Sequence, residues 1–149
     1  MNNRPLTYLA VPYSHPDPAV RLARFEAANR AAGLLMREGL LVFSPISHTH
    51  PIAEACGLPL GWDYWQAYDR AVLSCCSKVI VLELDGWQNS IGVMNELSIA
   101  HFANIEVEFM QLHKNANGKT TFTLTKHENE IMVCGKWIKD DPDDESNKE

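Results

Sequence analysis

The chain has no apolar run near the roughly 20 residues that span a bilayer, so no membrane-crossing helix is expected. Met1-Asn2-Asn3-Arg4-Pro5 carries no signal-peptide pattern. The four cysteines, Cys56, Cys75, Cys76 and Cys134, contain no CxxC pair. A zinc ribbon or a disulfide framework is therefore not expected, and neither is a metal or a cofactor. The simplest reading is buried, reduced thiols in a cytoplasmic protein. A Walker A loop, a GxGxxG turn and a GxSxG elbow are all missing. That counts against P-loop kinases, dinucleotide dehydrogenases and α/β-hydrolases. Positive charge is also scarce, with 13 Lys and Arg against 19 Asp and Glu, for a net charge of −6. Six of the acidic residues fall between Asp140 and Glu149, so the body is near neutral. A nucleic-acid-binding surface is not expected from such a balance.

What is present is an ordinary globular composition: 149 residues, 46% hydrophobic and 21% charged. That suits one domain with one core. Leu6 to Val11 reads as a short strand closed by Pro12. Asp17-Pro18 reads as an N-cap and first helical residue. Leu22, Phe25, Ala28, Ala32 and Leu35 follow at helical spacing until Gly39. Leu40 to Phe43 is expected as a second buried strand. Ser44 to Gly61, with three prolines and two histidines, reads as a long functional loop. Trp62 to Ser74 reads as a helix, Lys78 to Leu84 as a third strand, Ser90 to Ala103 as a helix and Ile105 to Leu112 as a fourth strand.

This alternation predicts a doubly wound α/β fold, Rossmann-like or flavodoxin-like. Its parallel sheet would carry helices on both faces and a C-terminal β-rich extension. The nearly continuous apolar third strand fits a sheet covered on both sides. Residues 1–118 are expected to form the α/β domain and 119–139 a β-hairpin extension of it. Residues 140–149 are expected to form a disordered acidic tail.

Ligands of such sheets gather beyond the C-terminal strand ends. There the sequence places Ser90-Ile91-Gly92-Val93-Met94-Asn95-Glu96-Leu97. Ser90 is a helix cap whose free N–H groups form an anion site, with Gly92 beside it. Glu96 shares a helical stripe with Gly92, Ala100 and Ala103. A lone carboxylate among small residues is costly to bury, so it reads as a pocket wall, with a helix-surface role as the alternative. Asp69 lies on one face with Trp62, Trp65 and Val72. Burial there would raise its pKa and suit a proton donor; a hydrogen-bonded structural Asp is equally compatible. Asp85 sits at a strand end, before Gly86, where a plain turn residue is also common. Tyr13-Ser14-His15 could touch sugar or phosphate, or could simply turn the chain. His48 and His50 would point the same way in extended chain. One of them, taken as His48, reads as a substrate contact. Of the aromatic residues around Trp62 to Trp87, most read as core, and Trp65 as a stacking partner for a planar base.

On these residues the chain resembles the nucleoside 2-deoxyribosyltransferase superfamily, across about residues 6 to 112. Tyr8-Leu9-Ala10-Val11-Pro12-Tyr13 is similar to its opening strand and loop, and Asp69 matches its helix aspartate. The Ser90 to Leu97 segment is similar to the Ser-x-Gly-Val-x-x-Glu-Leu pattern of the deoxynucleoside 5′-monophosphate N-glycosidase branch. Phe43 to His48 and Leu84 to Trp87 look like an uncharacterised bacterial and phage subfamily of that fold. The resemblance implies cleavage of an N-glycosidic bond, by hydrolysis or base transfer, in a nucleoside or its 5′-monophosphate. It implies Glu96 as nucleophile, Asp69 as an orienting group and Asp85 near the departing base. Ser90 would bind a 5′-phosphate, and Tyr8, Tyr13 and His48 would line the ribose and base pocket. It also implies a homodimer or higher oligomer. The alternative is a module that binds a nucleotide without turning it over.

Overall fold

The computed structural model describes residues 5–127, 130–133 and 136–139. The expected acidic tail and Cys134 lie outside them. Strand β1 (Leu6–Ala10) leads into helix α1 (Pro18–Arg37), and β2 (Leu41–Phe43) into α2 (Pro45–Cys56) and α3 (Trp62–Leu73). Then come β3 (Lys78–Leu82), a single 3-10 turn (Trp87–Asn89), α4 (Ile91–Phe102), β4 (Glu106–Lys114) and β5 (Thr120–Thr125). A separate antiparallel pair, β6 (Glu130–Val133) and β7 (Lys136–Lys139), follows.

The main sheet has the order β2-β1-β3-β4-β5. Its first four strands are parallel, and β5 is antiparallel to β4. The α/β, Rossmann-like expectation holds. The last strand reverses because a tight turn, not a helix, joins β4 to β5. Gly118 N–H closes that turn on the Asn115 carbonyl at 2.9 Å.

Strand alternation divides the core. Tyr8 and Ala10 of β1, with Val79 and Val81 of β3, pack with Leu73 of α3 and Val93, Leu97 and Ala100 of α4. Leu9, Val11, Ile80 and Leu82 face the other way, onto Ala28, Ala31, Ala32 and Leu35 of α1. Each fully buried Val, Leu or Ile among them contributes about 1.5–3 kcal/mol of transfer free energy. The chain crosses to opposite faces after β1 and after β3. The crevice between these strands is thus the topological switch point, where such sheets bind ligands.

Four expectations change. Thr120–Thr125 does not belong to a terminal hairpin but joins the main sheet as β5, and only β6 and β7 form the hairpin. Most of the Ser44–Gly61 loop is helix α2. Ser44 is its N-cap, accepting from Ser47 N–H at 3.4 Å, and Pro45 is its first residue. Ser44-Pro45 is the same start signal as Asp17-Pro18, and the internal Pro51 masked it. The second strand lies at the sheet edge, with Leu41 47% exposed, because β2 pairs only with β1. Of the three described cysteines, Cys56 and Cys75 are exposed and only Cys76 is buried. No helix among the described residues is long and apolar enough to cross a membrane.

Candidate functional site

At the switch point lies a cavity of about 450 Å³. Its floor is the C-terminal end of β1. One wall is α2, a second is the start of α3, and a third is the turn after β3 with the first turns of α4. Gly86 makes that turn possible, with φ of 80° in the left-handed region. Arg24 of α1 closes the mouth by donating to the Ser14 carbonyl at 3.1 Å and to the Asp85 carbonyl at 3.2 Å.

Two carboxylates line the cavity. Glu96 is 6% exposed and Asp69 8% exposed. Among the described residues neither makes an ion pair. The Tyr8 hydroxyl, wholly buried behind them, donates to Glu96 Oε1 at 2.6 Å. Burial pushes the Glu96 carboxyl up to about 8; the Tyr8 hydrogen bond opposes this and the Asp69 charge adds to it. Burial likewise raises Asp69 to about 6, again against a Tyr8 contact. Tyr8 itself is raised far above its ordinary value by burial and then by both carboxylates, so it remains a phenol and a donor. Both carboxyls therefore hold their protons above the ordinary carboxylate range.

The helix start is built as the sequence predicts. Ser90 caps α4, accepting from Val93 N–H at 3.3 Å. Ser90 and Gly92 both line the cavity, one turn from Glu96. Trp65 lines it too, fixed by Nε1–H donation to the Pro59 carbonyl at 2.7 Å. Tyr13 lines it from the segment after β1.

Three expected site residues sit elsewhere. Tyr8, expected to line the pocket, is wholly buried and does not line the cavity; its hydroxyl acts there only through Glu96. Asp85 is exposed in the turn and does not line the cavity; its backbone carbonyl, not its carboxylate, is engaged by Arg24. His48 is also outside the cavity, its ring clustered with those of Phe43 and Tyr68. The extended-chain reading of the two histidines fails because both are on α2. Residues two positions apart on a helix point about 200° apart. His50 is the histidine in the cavity, 8% exposed, with Nδ1 hydrogen-bonded to the Tyr13 hydroxyl. Sequence reading missed Arg24 and Trp62 as lining residues. Trp62 could have been found from its shared face with Trp65 and Asp69. Among the described residues no cluster of three or more His, Cys, Asp or Glu could hold a metal ion.

The fold and site define a class: a doubly wound α/β domain with a phenol-supported pair of buried carboxylates at its switch point. The chain belongs to the DUF1937 family, described as a domain of unknown function, whose pattern matches residues 5–112. No curated protein matches the sequence. The matched region covers β1 through most of β4, and with them every residue of the cavity.

Proposed function

We propose that this protein cleaves the N-glycosidic bond of a nucleoside or nucleoside 5′-monophosphate, with Glu96 attacking C1′ of the sugar. The observation that carries the reading is the buried Glu96, held by the Tyr8 hydroxyl, beside Asp69 in a cavity of nucleotide size. Burying a carboxylate without a cation costs stability, and folding gains nothing from it. Perturbed acids in a cleft are the usual mark of chemistry. In the reaction the Glu96 carboxylate meets an oxocarbenium-like centre, and the Tyr8 donor stabilises its ionised form. Asp69 orients the sugar from α3. Ser90 and the N–H groups of the first turn of α4 receive the phosphate. Trp62 and Trp65 offer flat apolar walls to the heterocycle. Water or a second base then completes hydrolysis or transfer. Self-association belongs to the same reading: Ile91 and Phe102 on the outer side of α4 are 70% and 82% exposed.

The test is chromatography for free base. Wild type and Glu96→Ala are incubated with the common ribo- and deoxynucleosides and their 5′-monophosphates, with and without an acceptor base. Release by wild type alone is the expected result. No release from any substrate, with nucleotide binding retained, would move the assignment to a nucleotide-binding module.

A further inference from the structure

The cavity holds a second polar pair that the nucleophile does not use. His50 and Tyr13 lie on its α2 side, both nearly buried, with Tyr13 Oη bonded to His50 Nδ1. The His50 ring is stacked on Phe25 with centroids 4.4 Å apart, and meets Tyr13 edge-on at 5.3 Å. Two rings and a hydrogen bond therefore fix its orientation. Burial, and then the charge of Glu54, raise Tyr13, against an opposing pull from Arg21. Tyr13 therefore keeps its O–H, and the pairing that donates it to Nδ1 is the one that leaves the imidazole proton on Nε2. Nε2 has no hydrogen-bond partner among the described residues. A buried imidazole with one nitrogen satisfied and the other free in a cavity is a donor waiting for an acceptor.

Resting on the glycosidic reading above, we propose that His50 Nε2–H donates a hydrogen bond to the departing heterocycle and stabilises the charge that gathers there, with Tyr13 as its positioning residue. Asp85, the residue expected near the departing base, is outside the cavity, so this position falls to α2. The heterocycle lies between Trp62 and Trp65 of α3 and His50 of α2. As the Glu96 carboxylate forms the C1′–O bond, the C1′–N pair leaves with the heterocycle. A ring nitrogen or exocyclic oxygen of that heterocycle then takes the Nε2–H bond. Water next adds its hydroxyl to C1′, Glu96 departs as carboxylate, and the water proton passes to the heterocycle. His50 acts as a hydrogen-bond donor of fixed orientation and transfers no proton. The substrate class implied is a nucleoside whose base carries an acceptor on the edge facing α2.

The test compares leaving groups. Wild type, His50→Phe, His50→Gln and Tyr13→Phe are assayed with the nucleotide that wild type cleaves fastest. Each is also assayed with 4-nitrophenyl 2-deoxyriboside, whose leaving anion needs little help. His50→Phe is expected to lose roughly 100-fold in kcat/KM on the nucleotide, the scale for one well-placed donor. With the nitrophenyl substrate the expected loss is under about tenfold. His50→Gln, which keeps a side-chain donor, recovers part of the difference, and Tyr13→Phe shows the same pattern more weakly. Equal losses on both substrates by His50→Phe would overturn the inference and make His50 structural, while leaving the glycosidic reading in place. Failure of wild type on every substrate would overturn both.

Discussion

The two ends of the sheet treat carboxylates in opposite ways. At the N-terminal strand ends, Glu106 and Glu108 of β4 sit beside Lys78 of β3 and Lys126. Lys78 Nζ lies 3.2 Å from Glu108 and 3.8 Å from Glu106, and Lys126 closes the cluster on both. Hydrogen bonding to Lys126 holds Glu106 below its ordinary value. At the C-terminal ends, Asp69 and Glu96 have no cation among the described residues, only the Tyr8 hydroxyl, and burial raises both. The first arrangement is what a fold needs to tie β3 to β4. The second opposes folding at neutral pH and is explained by what it does for a ligand. Counting buried acids would not separate the two; asking what neutralises each one does.

That contrast can be broken from either side. Beyond Glu96 itself, the largest effect is expected from Asp69→Asn. Turnover should fall roughly 100-fold, on the scale of a lost orienting contact. Because the Asp69 charge raises Glu96, the pH at which kcat/KM rises should move down from about 8. A pH–rate profile of free base release checks both. Tyr8→Phe is expected to cost about tenfold near pH 7 and to shift the same rise upward, since the lost hydrogen bond had favoured the Glu96 carboxylate. A downward shift would contradict the role given to Tyr8. The smallest functional effect is expected at the other end. Lys78→Met should leave turnover unchanged and lower Tm by a few degrees, since it strips the buried Glu108 of its nearest cation. The lowered Glu106 adds a pH signature: its stabilisation is present above its unfolded-state value and is lost as pH falls.

Much of this was legible in the sequence, and the omissions have physical causes. The apolar strands and the caps at Asp17 and Ser90 are local signals, and they set the α/β order correctly. Glu96 and Asp69 stood out because each interrupts an apolar or small-residue face. Tyr8 read only through family resemblance, since a tyrosine in a buried strand is ordinarily core. What failed was long-range or masked. Pro51 hid helix α2, and with the helix hidden the wrong histidine was chosen. The role near the departing base that the family resemblance implies for Asp85 does not fit its place, because the turn at Gly86 leaves its side chain outside the cavity. The pairing of Tyr13 with His50 joins residues 37 apart in sequence, which no spacing rule reaches.

The most direct test of the central claim is Glu96→Gln beside wild type, with base release and thermal denaturation measured together at pH 8 and pH 5. Glutamine keeps an acceptor for Tyr8 and removes the ionisable group. A carboxyl raised by burial contributes stability that is full below its unfolded value near 4.5 and is lost as pH rises toward about 8. The variant should therefore be inactive, clearly more stable than wild type at pH 8, and nearly equal to it at pH 5. A variant that still releases base, or that is less stable than wild type at pH 8, would contradict the claim that this acid is kept for chemistry at the expense of the fold.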